Sequence, residues 1–365
     1  MKEDVRLMKG NEAIAEAAIR SGCDGYFGYP ITPQSEVLET LMEMRPWETT
    51  GMVVLQAESE IASINMVYGG AACGKRVMTS SSSPGISLMC EGISYIAGAE
   101  LPCLIVNVQR GGPGLGTIQP SQSDYFQATK GGGHGDYRMI VLAPASVQEM
   151  YDFVFDGFDL AFRYRIPTMI LSDGVIGQMM EKVVVTRNRG RMSDEEICRQ
   201  SGDWALTGRK ANRQRHVATS LALEPAEMEA TNLRLQAKYN EIEQSEVRYD
   251  ELMTDDADYL IVAFGSSARI ASETVQMARK KGLKLGLLRP ITLWPFPSER
   301  IADLAARMKG ILCVELNAGQ MIEDVRLAVA GQVAVEHYGR MGGQLFTPGD
   351  VYEAVQEKLL KKRRY

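Results

Sequence analysis

The sequence predicts an α/β protein built from two domains joined by a linker. Residues 1–185 and 256–365 each alternate short apolar strands with amphipathic helical segments, a pattern typical of parallel β-α-β units. Strands such as "PCLIVNV" and "TMILSD" are almost entirely apolar, so we expect sheets that are covered by helices on both faces. Residues 186–255 are charged and poor in strand signals, which marks them as a linker that carries one helix.

The elements of the first domain begin and end at recognisable cap and turn residues. Thr32 and Pro33 suit the N-cap and first position of a helix that runs through Met44, and Asn11 can cap an earlier helix that ends near Gly22. The expected strands are Tyr26–Tyr29, Met52–Ala57, Arg76–Ser81, Pro102–Gln109, Arg138–Ala143 and Pro167–Ser172. The other expected helices are one that ends near Gly74, Pro84–Ala99, a helix around Gln122–Lys130, and Val147–Arg163.

The linker and the second domain continue the same alternation. The linker helix is expected near Glu224–Leu252. The second domain is expected to contain strands Tyr259–Phe264, Leu285–Leu288, Ile311–Leu316 and Gln332–His337. Its expected helices are Ala268–Lys281, Ser298–Met308, Gly319–Ala330 and a last one that is capped by Thr347 and Pro348 and runs through Leu360.

Composition excludes several classes of protein. The 365 residues are 45% apolar and 24% charged with a net charge of −6, which is typical of globular chains and unlike disordered or fibrous ones. Basic residues cluster only in the tail 361–364, so a nucleic-acid partner is not expected. We find neither a secretory signal nor an apolar run of about 18 residues, and we expect a cytoplasmic protein with no membrane segment.

The cysteines and histidines show no metal-binding or redox pattern. The six cysteines are scattered without a C-x-x-C pair, so we expect neither structural disulfides nor an iron–sulfur cluster on this chain. The three histidines lack the spacing of a metal site or a catalytic triad. A redox centre would therefore lie on another chain.

Polar residues follow four of the predicted strands, at the sheet edge where α/β proteins bind ligands. Thr32 follows the first strand, Glu58 and Glu60 the second, the serine-rich turn Thr79–Gly85 the third, and Arg110 the fourth. Each also has a local explanation as a helix cap, a complement of a helix dipole, a turn or part of a flexible loop. Their convergence along one edge favours a ligand site, in which Arg110 is suited to bind a carboxylate.

Four other motifs have ordinary structural explanations. "GGAACGKR" has the glycine spacing of a phosphate loop, but it ends a helix and lacks the Ser or Thr that holds magnesium. His134 lies in the turn "GGGHGD", and Ser266 and Ser267 suit a helix cap more than an anion site. "LRPITLWPFP" is interpreted as a strand exit whose prolines and Trp294 pack in an interface.

The combined motifs resemble the alpha subunit of 2-oxoacid:ferredoxin oxidoreductases. The residues that carry the resemblance are "GYPITPQSE", "LQAESEIASI", "TSSSSPG", "AELPCLIVNVQRGGPGLGTIQPSQSD", "KGGGHGD", "AFGSSARIA" and "LRPITLWPFP". They cover nearly the whole chain in the family's order. The resemblance implies a pyrimidine-binding domain of the thiamine-diphosphate enzymes followed by a transketolase C-terminal-like domain. The version of the glycine loop is most similar to the branched-chain members, which act on 3-methyl-2-oxobutanoate (2-ketoisovalerate).

The resemblance assigns roles to individual residues. The family's glutamate that bonds the aminopyrimidine ring falls on Glu60, because Glu60 and not Glu58 keeps the family's spacing to Gly85 and Arg110. Its substrate-binding threonine and arginine fall on Thr32 and Arg110. Tyr29 and Pro30 would line the cofactor pocket, and no metal ligand is expected on this chain.

The implied reaction is the coenzyme A-dependent oxidative decarboxylation of a 2-oxo acid. The G-D-G…N pattern for magnesium and diphosphate is absent, so Mg²⁺ and [4Fe-4S] clusters are expected on partner subunits only. The implied partners are a beta subunit, a gamma subunit, a ferredoxin-like delta subunit, ferredoxin and CoA. Two alternatives stay open at this point: a subunit of a non-redox thiamine-diphosphate enzyme of transketolase or decarboxylase type, and a non-catalytic interaction subunit.

We predict that this chain, purified without partners, is colourless and does not retain thiamine diphosphate. The reason is that the sequence offers no cluster motif and only the pyrimidine half of the cofactor pocket. An absorption spectrum and a thiamine assay of the isolated chain check this. A brown protein that carries a cluster would show the prediction to be wrong.

Overall fold

The computed structural model describes residues 4–208 and 215–361. The elements before residue 209 are, in order, β1 (Val5–Lys9), α1 (Gly10–Arg20), β2 (Gly25–Gly28), α2 (Ser35–Met44), α3 (Pro46–Thr49), β3 (Val53–Gln56), α4 (Glu60–Ala72), β4 (Val77–Ser81), α5 (Pro84–Gly98), β5 (Cys103–Gln109), α6 (Tyr125–Thr129), β6 (Ile140–Leu142), α7 (Val147–Tyr164), β7 (Pro167–Asp173), α8 (Gly174–Gln178), β8 (Met180–Val184) and α9 (Asp194–Gln200). Those after residue 214 are α10 (Pro225–Ser245), β9 (Tyr249–Leu252), β10 (Tyr259–Ala263), α11 (Gly265–Lys280), β11 (Leu285–Pro290), β12 (Thr292–Trp294), α12 (Ser298–Ala305), β13 (Gly310–Glu315), α13 (Met321–Val329), β14 (Val335–Gly339) and α14 (Pro348–Val355), which continues as a π-helical turn over Gln356–Leu360.

Two mainly parallel sheets form the framework, as the sequence predicts. The first has the strand order β12-β6-β7-β5-β4-β2-β3, and the second has the order β14-β13-β10-β11-β9. The edge strands β12 and β9 pair antiparallel with their neighbours, whereas the other pairs in both sheets are parallel. β5 and β7 are buried along their whole length, which explains their continuous apolar sequences.

Two helices of the first domain begin at residues other than the ones that the cap signals indicate. The first helix begins at Gly10 with Lys9 as its N-cap, and the amide of Asn11 instead donates to the carbonyl of Pro33 at 2.7 Å. α2 begins at Ser35 and not at Pro33, with Gln34 as its N-cap. The expected starts are wrong because tertiary hydrogen bonds bind the Asn11 amide and the Pro33 carbonyl. The cap at Thr347 is confirmed, since its hydroxyl accepts from the Asp350 backbone at 3.2 Å.

Three pairings join segments that the sequence pattern does not connect. β1 pairs with β8 in a separate antiparallel ribbon. β9 lies inside the segment 186–255, which the sequence marks as a linker, yet it forms an edge of the second sheet. β12 comes from the region expected to form the second domain, yet it pairs with β6 of the first sheet. These strands have three to five residues, too few for a clear periodicity.

The expected interface around Trp294 is confirmed. Its ring packs edge-on against Tyr239 of α10, with centroids 5.6 Å apart. Arg289, at the end of the preceding strand β11, donates two hydrogen bonds of 2.7 Å to Glu149 of the first domain. One hydrophobic core extends from the first sheet to residues of α12 and α13, so the two sheets share buried surface.

The side chain of Gln122 is a second polar anchor between the domains. It is fully buried, donates to the Phe264 carbonyl at 2.8 Å and accepts from the Ser267 hydroxyl at 2.5 Å. Ser266 donates to Asp173, also at 2.5 Å. The serines at the start of α11 therefore hold the two domains together, and their hydroxyls do not cap the helix. Among the described helices, none combines the length and apolar content that crossing a bilayer requires.

Candidate active site

Four adjacent strands of the first sheet end at the candidate site. β5, β4, β2 and β3 are neighbours in that order, and each is parallel to the next. Parallel strands end at the same edge of a sheet, so the segments that follow them lie side by side. These segments contain Arg110 after β5, the serine turn after β4, Tyr29 to Thr32 after β2, and Glu60 after β3.

Glu60 is the first residue of α4 and is only 6% exposed, whereas Glu58 is exposed. The helix is capped by Ser59, whose hydroxyl accepts from the Ala62 backbone at 3.2 Å. The described part of the chain donates no hydrogen bond to the Glu60 carboxylate. A carboxylate that is buried at a helix start without a partner is available to accept a hydrogen bond from a ligand.

Gly85 of α5 makes room for the Glu60 side chain. A Cβ atom at position 85 would lie 2.7 Å from Oε1 of Glu60 and 2.1 Å from Oγ of Ser81. A Cβ atom makes essentially no contacts this short, so any larger residue would displace the carboxylate or the serine. The glycine of the "TSSSSPG" turn is therefore a requirement for the placement of Glu60.

The serine turn contributes polar groups that lack protein partners. Thr79 Oγ1, Ser81 Oγ and Ser82 Oγ are buried and form no hydrogen bond with the described residues. By contrast, Ser80 donates to Gln34 at 2.6 Å and is 2.7 Å from the hydroxyl of Tyr26. Unpaired buried hydroxyls cost free energy, and a polar ligand beside Ser81 would offset that cost.

Arg110 is brought into contact with the Thr32 turn. The residue is 7% exposed, and its guanidinium donates from Nη1 to the carbonyl of Thr32 at 2.9 Å and from Nη2 to the carbonyl of Leu115 at 3.1 Å. The Nε–H group is buried without a partner among the described residues. Two backbone carbonyls thus fix the orientation of the guanidinium and leave several of its donors for an anion.

The Thr32 turn is held by residues that sequence analysis did not identify as functional. The carbonyl of Pro33 accepts from Asn11 at 2.7 Å and from Gln178 at 3.1 Å. Both amides also donate to Glu36. Burial opposes ionisation of Glu36, but hydrogen bonds from Lys9, Asn11 and Gln178 lower its pKa below the ordinary value. No local sequence signal marks these residues, because they come from three distant segments.

Tyr29 and Pro30 lie at the end of β2, as the sequence predicts. Tyr29 is half-buried and Pro30 is exposed. The carbonyl of Tyr29 accepts from the buried amide of Gln34 at 3.0 Å. Because Gln34 also bonds Ser80, this amide couples the Tyr29 segment to β4 and the serine turn.

A cavity of about 460 Å³ opens beside Arg110. The first domain contributes Ser83, Arg110 and the Gly112–Gly114 loop, and the second domain contributes Asn317 and Met341. Leu115, at the outer side of this loop, is 83% exposed. The cavity can hold a small organic acid with its carboxylate near Arg110.

His134 is not brought into this site by any contact. It is exposed in its turn, and Gly133 of the same turn packs tightly against α5, since a Cβ at position 133 would lie 2.5 Å from the Cys90 carbonyl. The six cysteines are unpaired. Within residues 4–208 and 215–361, no group of His, Cys, Asp or Glu side chains is arranged to hold a metal ion.

Two family profiles match almost the whole chain. Residues 16–253 match the family "Pyruvate flavodoxin/ferredoxin oxidoreductase, thiamine diP-bdg", and residues 257–351 match "Pyruvate:ferredoxin oxidoreductase core domain II". The chain is 50% identical over 353 residues to a ketoisovalerate oxidoreductase subunit, VorB, of Methanothermobacter thermautotrophicus, which covers 96% of this chain and 97% of the relative.

Solved structures confirm the fold. A 2-oxoglutarate:ferredoxin oxidoreductase from Magnetococcus marinus, with 2-oxoglutarate, coenzyme A and succinyl-CoA bound, superposes with a TM-score of 0.86 at 30% identity. The match covers 98% of this chain and 66% of the solved chain. A split-gene transketolase superposes with a TM-score of 0.61 at 15% identity over 98% and 99% of the two chains, which shows likeness of fold alone.

We expect Gly85→Ala to destabilise the protein and Gly69→Ala to stabilise it slightly. The added methyl at position 85 overpacks Ser81 and Glu60, at a typical cost of about 1–3 kcal/mol. Gly69, also helical, has no atom near its hypothetical Cβ, so alanine there should stabilise α4 by about 0.5–1 kcal/mol. Chemical denaturation of both variants measures the difference, and equal effects would contradict the tight contact at Gly85.

Proposed function

The chain belongs to the 2-oxoacid:ferredoxin oxidoreductase family, and on that premise we propose that it supplies half of a thiamine-diphosphate site in an enzyme that acts on branched-chain 2-oxo acids. The reaction is the CoA-dependent oxidative decarboxylation of a 2-oxo acid, 3-methyl-2-oxobutanoate above all, to an acyl-CoA and CO₂, with electrons passed to ferredoxin. The observation that carries the proposal is the 50% identity, over 96% of the chain, to a ketoisovalerate oxidoreductase subunit.

The residues present fit the pyrimidine end of thiamine diphosphate. Glu60 offers a buried acceptor without a protein partner, and Gly85 keeps the space beside it clear of a side chain. We assign Glu60 the hydrogen bond with N1′ of the pyrimidine ring, in which the carboxylate is the acceptor, and we place Tyr29 and Pro30 in the wall of the pocket. When bound, the cofactor supplies the nucleophilic carbon and the electron sink for decarboxylation, and the protein supplies position and electrostatics.

Arg110 and Thr32 are proposed to bind the 2-oxo acid. The guanidinium is already oriented by the Thr32 and Leu115 carbonyls, so it can pair with the substrate carboxylate without losing further side-chain entropy. Thr32 is exposed at the same turn, where its hydroxyl can contact the substrate. Positioning of the carboxylate by these two residues would align the 2-oxo carbon for attack.

Partner subunits are proposed to complete the site. Exposed apolar side chains near the starts of the two helices include Ile61 of α4 and Leu88 of α5, which are 51% and 52% exposed and suit a subunit interface. We infer that a beta subunit packs here and brings the diphosphate and Mg²⁺ site, with [4Fe-4S] clusters on it or on a ferredoxin-like delta subunit. A gamma subunit, CoA and ferredoxin complete the set. We also infer a cytoplasmic location, because six unpaired cysteines suit a reducing compartment.

The two alternatives left open by the sequence are less well supported. A non-redox transketolase-type enzyme has the same fold. However, the chain is only 15% identical in sequence to the solved transketolase, so the likeness is one of fold alone. A non-catalytic scaffold gives no reason for a buried carboxylate and a fixed guanidinium at one sheet edge. Electron transfer from the purified complex to a viologen dye separates the oxidoreductase from both alternatives.

We predict that Glu60→Gln lowers turnover of the co-purified complex by at least ~10²-fold, the lower range for a general acid–base group. Glutamine keeps the shape but presents an amide where an acceptor for the pyrimidine proton is required. Glu58→Gln is the matched control two positions away, and it should cost little because that side chain is exposed. Steady-state assays with both variants decide the assignment, and a severe loss in Glu58→Gln with near-normal Glu60→Gln would reverse it.

We predict that branched-chain 2-oxo acids are used ahead of pyruvate. An apolar pocket gains roughly 1–3 kcal/mol per additional methylene, so discrimination should be about 10–200-fold and not absolute. The comparison uses the specificity constants of the complex for 3-methyl-2-oxobutanoate, pyruvate and 2-oxoglutarate. If 2-oxoglutarate has the highest constant, the substrate assignment is wrong.

A further inference from the structure

The carboxylate of Asp124 lies outside the assigned site and connects the part around Arg110 with the part around Glu60. Asp124, just before α6, accepts two hydrogen bonds on Oδ2, from the Ser83 hydroxyl at 2.6 Å and from the Asn107 amide at 2.9 Å. It is partly buried at the wall of the cavity beside Arg110. Burial raises the pKa of Asp124, although the hydrogen bonds from Ser83 and Asn107 counteract part of this effect.

Ser83 links the Asp124 carboxylate to the backbone of Arg110 through hydrogen bonds. Its hydroxyl has a single hydrogen with two acceptors in reach, and the 2.6 Å bond to Asp124 draws that hydrogen away from the Arg110 carbonyl, which lies 3.2 Å from Oγ. The oxygen can then accept from the backbone N–H of Arg110, which is 3.0 Å away. Asn107 holds the same residue from the other side, since its Oδ1 accepts from the Ser83 backbone at 3.2 Å.

Ser83 also connects to the part of the site around Glu60, because it lies directly before α5. It directly precedes Pro84 and Gly85, the first residues of α5, and Gly85 is in contact with Glu60. One serine therefore joins the backbone of the arginine to the helix that packs on the glutamate. Asp124 is the group that fixes the direction of this serine hydroxyl.

The segment that carries Asp124 is clamped by the second domain. Gln122 donates from its backbone to the Leu316 carbonyl at 3.0 Å, and its own carbonyl accepts from Asn317 at 2.8 Å. Gln320 donates to the Ser123 carbonyl at 2.7 Å. Asp124 itself donates from its backbone to Gln109 of β5 at 3.0 Å. The carboxylate thus stands between a second-domain loop and β5, the strand that Arg110 directly follows.

We propose that Asp124 is a positioning residue that orients Arg110 and the Ser83 turn, and that the second domain acts on the substrate site through it. This inference rests on the proposed function, because it assigns the effect to binding of a 2-oxo acid carboxylate. Asp124 takes no part in the chemistry. Its effect is on how well Arg110 is aligned before the substrate arrives.

The test compares Asp124→Ala, Asp124→Asn and Ser83→Ala in the co-purified complex, with the exposed Asp303→Asn as a control. We expect Asp124→Ala and Ser83→Ala to raise the KM for the 2-oxo acid by ~10-fold or more, with the KM for CoA unchanged. Asp124→Asn should restore the KM to within about 3-fold, because an amide oxygen can accept both bonds made to Oδ2. Titration of the complex with the 2-oxo acid by calorimetry gives a readout that does not depend on turnover.

A double-mutant cycle with Arg110→Lys separates positioning from a general structural role. If Asp124 acts through the guanidinium fork, Asp124→Ala should cost at most about 3-fold in kcat/KM when Arg110 is already lysine. Any of three results would overturn the inference. The first is a full ~10-fold cost of Asp124→Ala with either arginine or lysine at position 110. The others are a rise in the KM for CoA equal to that for the 2-oxo acid, and an Asp124→Asn variant as impaired as Asp124→Ala.

The outcomes also distinguish this inference from the proposed function. An unmodified complex that turns over no 2-oxo acid refutes the proposed function. An active complex in which Asp124→Ala and Ser83→Ala keep a normal KM refutes the positioning role alone. If the complex with Asp124→Ala does not assemble, the Ser83→Ala variant removes the same hydrogen-bond link. A normal KM for the 2-oxo acid in that variant is then sufficient to refute the positioning role.

Discussion

The parallel pairing of β5, β4, β2 and β3 fixes the relative positions of the first-domain groups at the candidate site. Because these neighbouring strands run in one direction, their carboxyl ends meet at one edge, and the chain must leave each strand there before its helix begins. This edge therefore brings together Arg110, the serine turn, the Thr32 turn and Glu60. Arg110 and Thr32 are 78 positions apart in the sequence, yet they share a hydrogen bond. The second sheet has the same parallel arrangement, but its strand ends are used for contacts with the first domain.

The polar groups at this edge are arranged before any ligand binds. The guanidinium of Arg110 is held by two backbone carbonyls, and the amide of Gln34 joins the Tyr29 segment to Ser80. Each of these bonds satisfies a buried group and removes rotamer freedom that a ligand would otherwise have to restrict. Among the described residues, the groups left unpaired at this edge are the Glu60 carboxylate, the Arg110 Nε–H and the hydroxyls of Thr79, Ser81 and Ser82, and we propose that Glu60 and Arg110 bind the ligands.

The sequence was sufficient to predict most of the main-sheet strands and the local caps, but not the long-range hydrogen bonds. Continuous apolar strands such as β5 and the cap at Thr347 have strong local signals, and the structure confirms them. Asn11 has the signal of a cap but binds Pro33, and Ser266 and Ser267 have the signal of a helix start but bind the first domain. Short edge strands such as β9 and β12 were missed because three or four residues do not establish a period. The candidate residues themselves were indicated by their place after the strands and by the resemblance to the family's motifs, whereas their supports, such as Gln178 and Asp124, depend on contacts between distant segments.

The most direct test of the proposed cofactor site is an experimental structure of the co-purified complex with thiamine diphosphate bound. We expect the pyrimidine ring to lie between the starts of α4 and α5, with a carboxylate oxygen of Glu60 at about 3 Å from N1′, the distance of a hydrogen bond. Arg110 should face the same pocket. A pyrimidine ring that contacts Glu58, or one that lies away from both carboxylates, would contradict the assignment of this sheet edge as the cofactor site.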